Sequence, residues 1–237
     1  MSTGAAASAA IASAVEARTA AEEQARADEE ARAAAEDPYD SSAWGRAGID
    51  PVKVSIQGQS VYTLRTYLAG RPGATGVAVR IPGSGEVFRY TKTSARNVTA
   101  SIVKVQIMSA VMMKAQSEGR ALSSWEKSKI SPMIRNSDND ATTALFNHIG
   151  GRAAIDSSAD RLGMSGTVAD PYNHWGLTST TAADQAELME HYARPSKALN
   201  YTNRMYGLTQ MRNINSSQDW GVTAGAPSGS VALKNGW

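Results

Sequence analysis

Cysteine is absent from this 237-residue chain. Disulfides, thiolate nucleophiles and cysteine-ligated metals are thereby excluded, while the redox compartment stays open. Histidine is scarce. His148, His174 and His191 stand at no H-E-x-x-H or comparable spacing, so a zinc site is not expected, nor is any cofactor. No apolar run reaches the eighteen residues that a membrane-spanning helix needs. The amino terminus has no basic residue before Arg18 and no strongly apolar stretch, so it does not read as a secretory leader. A phosphate-cradling loop is missing too, since Pro82-Gly-Ser-Gly85 lacks the following G-K-[ST]. Asp138-Asn-Asp140 opens like a calcium loop but lacks its Gly and terminal Glu.

Charge of one sign is also lacking overall: the formal net charge is +2, which makes no electrostatic case for nucleic acid. The balance is uneven. Residues 1–36 hold seven acidic and three basic side chains, net −4, which leaves +6 for the remainder. A mildly basic body suits an anionic small substrate or an anionic envelope surface, or it is ordinary solubilising charge.

Residues 5–36 are low in complexity, with sixteen alanines among Glu, Arg, Asp and Gln. Alanine has the best helix propensity, and Glu22–Arg26 and Asp28–Arg32 are favourable i,i+4 pairs. One long helix ending before Asp37-Pro38 is predicted, which makes residues 1–37 a helical arm, stalk or linker with little to bury, or else a solvated tail. The domain proper is expected over 38–237. A connector holds a short strand candidate at Val52–Ile56, and Val61–Leu68 reads as a short helix. Thr75–Ile81 and Glu86–Tyr90 alternate about Pro82-Gly-Ser-Gly85, a β-hairpin signal. Helices are expected at Thr99–Gln116, Ala141–Ile149, Ala153–Leu162, Thr181–Tyr192 and Lys197–Met211. Ser131-Pro132 is expected to open a separate segment, Ser165–Ser179 to be irregular, and Gly229–Trp237 to begin as a strand. The class is mixed α/β (α+β), an antiparallel sheet flanked by helices.

The helix at Thr99–Gln116 is apolar on nearly every side, with Ile102, Val103, Val105, Ile107, Met108, Val111, Met112 and Met113, and should be buried. Ser101 and Lys104 contradict that burial. An interior lysine is costly unless paired or functional, and positions i and i+3 on a helix are neighbours. A hydroxyl beside a desolvated amine is a route to a serine nucleophile without histidine.

Three short elements stand in order: Ser101-Ile-Val-Lys104 (S-x-x-K), Ser137-Asp138-Asn139 (S-D-N) and Lys234-Asn235-Gly236 (K-x-G). A second S-x-x-K, Ser124-Trp-Glu-Lys127, lies in a polar stretch with no burial to activate it. From about Val54 onward the chain resembles the penicillin-recognising serine hydrolases, the DD-peptidases and class A β-lactamases. The resemblance implies an acyl-enzyme on Ser101, with Lys104 as proton acceptor and Ser137 as relay to the leaving nitrogen. Asn139 would hold Lys104 and the substrate amide, and Lys234 the substrate carboxylate. Backbone N–H groups of Ser101 and Trp237, the latter following Gly236, would form the oxyanion hole. Read without the resemblance, Ser101 is a helix-start serine, Lys104 a snorkelling side chain and Ser137 or Asp138 an N-cap.

The sequence departs from the family in four ways. Asn235 replaces Thr or Ser, which removes a hydroxyl donor to the substrate but leaves an amide. Ser101 and Ser137 are only 36 positions apart. No glutamate occurs between Leu162 and Thr181, where class A enzymes carry a deacylating base; Asp170, in Asp170-Pro-Tyr-Asn173, is either a shorter substitute or an Asp-Pro turn residue. The family also continues beyond the K-x-G strand, so the resemblance implies a domain incomplete at its carboxyl end, with an open sheet edge. Trp125, Tyr172 and Trp175 suit a cleft wall or core packing. The expected activity is a serine acyl hydrolase acting outside the cytoplasm on a β-lactam or peptidoglycan stem peptide. The alternatives are a class A-like β-lactamase, or a non-catalytic envelope protein retaining the fold.

Overall fold

The computed structural model describes residues 68–83, 85–92, 96–221 and 231–237, all within the unit Ser41–Trp237. The alanine-rich arm, the strand candidate at Val52–Ile56 and all of the expected helix at Val61–Leu68 except Leu68 lie outside the described residues.

The hairpin forms as its alternation predicts. Strand β1 (Gly76–Ile81) pairs antiparallel with β2 (Gly85–Thr91), from Gly76↔Thr91 to Ile81↔Gly85, with a register shift between Val79 and Arg80. Strand β3 (Asn97–Val98) then leads through a 3₁₀ turn (Ala100–Ile102) into helix α1 (Val103–Ser117). The helix expected from Thr99 therefore starts as a tighter turn.

The apolar run around Ile107 becomes the centre of the molecule. Val103, Ile107, Met108, Val111 and Met112 of α1 are fully buried, each side chain contributing roughly 1.5–3 kcal/mol. The polar groups of α1 are satisfied where they enter the core. Gln106 donates to the Ile155 carbonyl (3.0 Å) and Ser158 Oγ (3.0 Å), and Ser109 donates to the Val105 carbonyl (2.9 Å).

Helix α2 (Ser124–Arg135) is a finding, because Pro132 argued for a break. Its start carries a capping box: Ser123 Oγ accepts from the Glu126 N–H while the Glu126 carboxylate accepts from the Ser123 N–H. Burial of Ile130, Met133 and Ile134 outweighs the one hydrogen bond that Pro132 forfeits late in the helix. The second S-x-x-K is thus a helix beginning, with Ser124 and Lys127 exposed.

Helices α3 (Asn139–Ile149) and α4 (Arg152–Arg161) follow, then a loop with a 3₁₀ turn at Trp175–Leu177 and strand β4 (Ser179–Thr180). β4 pairs with β3 through Asn97↔Thr180 and Val98↔Ser179. Helices α5 (Ala182–Ala193) and α6 (Tyr201–Arg212) complete the helical layer. Around α1 stand α2, α3, α4 and α6, while α5 packs on α6 and on β1. Gly207 permits the α5–α6 approach, since a β-carbon there would lie 2.3 Å from Tyr192 Cε1. Tyr192 is buried, shares a 2.7 Å hydrogen bond with Ser109 Oγ, and its hydroxyl resists ionisation through that burial. Arg80 of β1 pairs with Glu187 of α5.

The expected terminal strand is corrected. Residues 231–237 form no strand. The Leu233 N–H donates to the Met211 carbonyl (3.2 Å), and the chain runs irregularly past the α1 entrance. What the described residues form is a mixed α/β fold with two small antiparallel sheets beside six helices.

Candidate active site

The 3₁₀ turn at Ala100–Ile102 sets the site. It carries Ser101 and runs directly into α1, whose second residue is Lys104, so the two side chains stand three positions apart and meet. Its entrance is fixed by the Thr99 N–H, which donates to the Thr178 carbonyl (2.8 Å) beside the β3–β4 pair. Ala100 pays locally with φ +44°, a conformation that costs a non-glycine residue roughly 1–3 kcal/mol. The other non-glycine residues with positive φ among those described are Ser137 (+58°) and Asn173 (+63°). All three lie at this site, where strain concentrates.

Lys104 has no exposed surface, and its Nζ makes four close contacts. It lies 2.9 Å from Ser101 Oγ, 2.7 Å from the Ser137 carbonyl, 3.0 Å from Ser137 Oγ and 2.8 Å from Asn139 Oδ1. The Ser137 carbonyl and Asn139 Oδ1 can only accept. They occupy two N–H bonds and turn the rest of the amine toward two hydroxyls. A neutral amine held this way keeps one lone pair, which can accept from one of the two hydroxyls at a time, Ser101 or Ser137. Burial, opposed by Asp138, pushes the Lys104 amine down to about 8, within reach of that neutral form.

S-D-N divides its work. Ser137 presents both its carbonyl and its hydroxyl to Lys104. Asp138 caps α3, its Oδ1 accepting from the Ala141 N–H (2.7 Å), and Asn139 turns inward on the first helical position.

K-x-G arrives from the other end of the chain. Lys234 is driven down to about 8 by burial and then by the positive charge of Lys104. Its Nζ donates to the Asn235 carbonyl (2.9 Å) and to Asn235 Oδ1 (3.1 Å). Asn235 does not face the cleft as a substrate donor. It is buried, and its amide donates to the Gln218 carbonyl (2.8 Å), so a structural contact replaces the expected one. Gly236 packs against the nucleophile turn, where a β-carbon would stand 2.8 Å from the Thr99 carbonyl oxygen and 3.2 Å from the Ile102 nitrogen. Trp237 is exposed and lines the same cleft as Ser101.

That cleft encloses about 810 Å³. Ser101 lines it with Asn139, Thr143, Phe146 and Asn147 of α3 and with Asn173 and Trp175 of the loop before β4. Asn139, Thr143 and Asn147 repeat every four residues; this polar stripe on α3 was the sequence signal for that wall. Trp175 stacks over Lys104, its ring centroid 5.0 Å from Nζ, and donates from Nε1 to Thr143 Oγ1 (3.2 Å). Trp125 instead tilts against His148 at 4.9 Å.

Asp170 is the expected site residue that the geometry leaves aside. Its Oδ2 accepts from the Tyr172 N–H (2.9 Å), the His174 N–H (3.1 Å) and faces His174 Nδ1 (3.1 Å). It ties its own loop and is not among the residues lining the cleft. Burial alone would raise its pKa, but these contacts hold the carboxyl below its ordinary range.

The model of the Beta-lactamase enzyme family matches residues 127–237, a stretch that contains S-D-N and K-x-G. No curated protein matches the sequence. Among solved structures, the TLA-1 extended-spectrum β-lactamase superposes with a TM-score of 0.61 at 17% identity, over 75% of this chain and 78% of that one. A class A β-lactamase from Bacteroides cellulosilyticus gives 0.58 at 15%, over 70% and 72%. PBP-A gives 0.53 at 17%, over 65% and 68%.

Residues 127–237 are thus similar to the Beta-lactamase enzyme family, and the solved structures show a shared fold. The chain's fold is the β-lactamase fold, and within it Lys104 meets Ser101 and Ser137 while Gly236 packs on the turn that carries Ser101. No helix among the described residues is long and apolar enough to cross a membrane.

Proposed function

We propose that this protein is a serine acyl hydrolase of the penicillin-recognising kind, working through an acyl-enzyme on Ser101. The observation that carries the reading is the set of contacts around Lys104 Nζ, which joins the hydroxyls of Ser101 and Ser137 to one buried amine. Ser101 Oγ attacks an amide, ester or β-lactam carbonyl and its proton passes to neutral Lys104. The C–N bond of an amide or β-lactam, or the C–O bond of an ester, breaks as Ser137 relays the proton from Lys104 to the leaving nitrogen or oxygen. Asn139 keeps the amine in place, and the charge of Lys234 favours a substrate carboxylate. The backbone N–H groups of Ser101 and of Trp237 stabilise the oxyanion. The substrate is a β-lactam or a peptidoglycan stem peptide, and the protein acts outside the cytoplasm.

The engaged carboxylate of Asp170 favours a long-lived acyl-enzyme over fast β-lactam turnover. The test is labelling of the full chain by a fluorescent penicillin. Stable label that disappears in Ser101→Ala supports the reading. Absence of label in the parent protein supports a non-catalytic envelope protein, and rapid nitrocefin hydrolysis lost in Asp170→Asn supports a class A-like β-lactamase.

A further inference from the structure

Hydrolysis of an acyl-enzyme needs a water beside the ester and a base to take its proton. The water oxygen forms a bond to the acyl carbon, the carbon–Oγ bond breaks, and a proton returns to Ser101 Oγ. Among the described residues lining the Ser101 cleft none has a carboxylate side chain, and the one imidazole, His174, has its Nδ1 held 3.1 Å from Asp170 Oδ2. Lys104 is the base in contact with Ser101, and the indole ring of Trp175, which lines the cleft, lies over its Nζ at 5.0 Å.

That ring is held in place. Its Nε1 donates to Thr143 Oγ1, and its 3₁₀ turn is closed by the Leu177 N–H to the His174 carbonyl (2.8 Å) and the Thr178 N–H to the Trp175 carbonyl (3.2 Å). Asp170 fixes the loop before it through two backbone N–H groups, and the half-buried ring packs on the hydrophobic core. A water approaching Lys104 from that side would meet the face of the ring, which offers a weak π contact and no full hydrogen-bond partner.

We propose that Trp175 is a positioning residue that keeps water away from the acylated Ser101, and that this sets a slow release of the acyl group. The inference rests on acylation of Ser101. It adds that the persistence of the acyl-enzyme comes from a specific wall, and not only from a missing base.

The full chain is labelled with fluorescent penicillin, chased with unlabelled penicillin, and the rates of acylation and release are measured separately. In Trp175→Ala, release is expected to quicken at least tenfold while acylation does not quicken, so their ratio moves. Trp175→Phe, which keeps an aromatic face, is expected to restore slow release. General damage to the fold lowers both rates together and leaves the ratio where it was. Release at the parent rate or slower in Trp175→Ala overturns the proposal. Should Trp175→Ala fail to fold, Thr143→Val decides: it removes the indole's acceptor, release is expected to quicken severalfold, and an unchanged rate overturns the proposal. A parent protein that takes no label defeats the acyl-enzyme reading itself, an outcome distinct from a labelled parent whose Trp175 variants release no faster.

Discussion

Gly236 faces the carbonyl oxygen of Thr99 so closely that a β-carbon on it would stand 2.8 Å away. These two residues are far apart in the chain, and their contact is what joins K-x-G to the turn carrying Ser101. The same β-carbon would meet Ile102 Cγ2 at 3.1 Å. Because the nearest neighbour is backbone, the clash cannot be relieved by a rotamer change.

Gly236→Ala should therefore displace the chain terminus or the nucleophile turn. The expected cost is about 1–3 kcal/mol of stability, with penicillin labelling slowed by at least tenfold. Thermal unfolding and labelling rate, measured on the same preparation, check it.

Acylation should rise with pH and level off above about 8, because Lys104 must be neutral to accept the Ser101 proton. Labelling rates from pH 6 to 9.5 test this. Stability follows the same titration. Burial holds Lys104 and Lys234 near 8 in the folded chain, below the ordinary lysine value, so between those values the unfolded chain binds more protons. Stability therefore rises with pH from about 8 toward about 10.5. That rise is expected to shrink in Lys104→Met.

The second S-x-x-K offers a control. Ser124 is exposed at the start of α2 and far in role from the cleft, so Ser124→Ala should leave labelling within twofold, by gel fluorescence. Ser123→Ala removes the cap and should cost about 1 kcal/mol by thermal or urea unfolding.

Glu126 is a carboxylate with almost no exposed surface. Burial alone would raise its pKa, yet hydrogen bonds from Arg120, the Ser123 N–H and His148 bring it to about 2. Arg120 reaches both oxygens, at 2.8 and 2.9 Å, and His148 Nε2 lies 3.1 Å from Oε1. A depressed carboxyl stabilises the fold above its unfolded value and loses that contribution as pH falls through the folded one. Stability should decline from about pH 4.5 to about 2, and Glu126→Gln should be less stable at neutral pH with a flatter acid profile. Circular dichroism melts across that range check it.

By itself the sequence determined the hairpin, the buried helix and the pairing of Ser101 with Lys104, because these follow from local periodicity and from neighbours three residues apart. It also marked Ser137, Asn139 and Lys234 through their order along the chain. Tertiary structure alone decided the rest. Pro132 sits inside α2 because burial of Met133 and Ile134 outweighs a lost backbone bond, an energy invisible in local propensity. Asn235 turns to the Gln218 carbonyl and Asp170 to its own loop because the nearest unsatisfied groups lie there, and only the folded chain says which groups are nearest. The covering of Lys104 by Trp175 joins residues 71 positions apart, a distance that no sequence period can bridge.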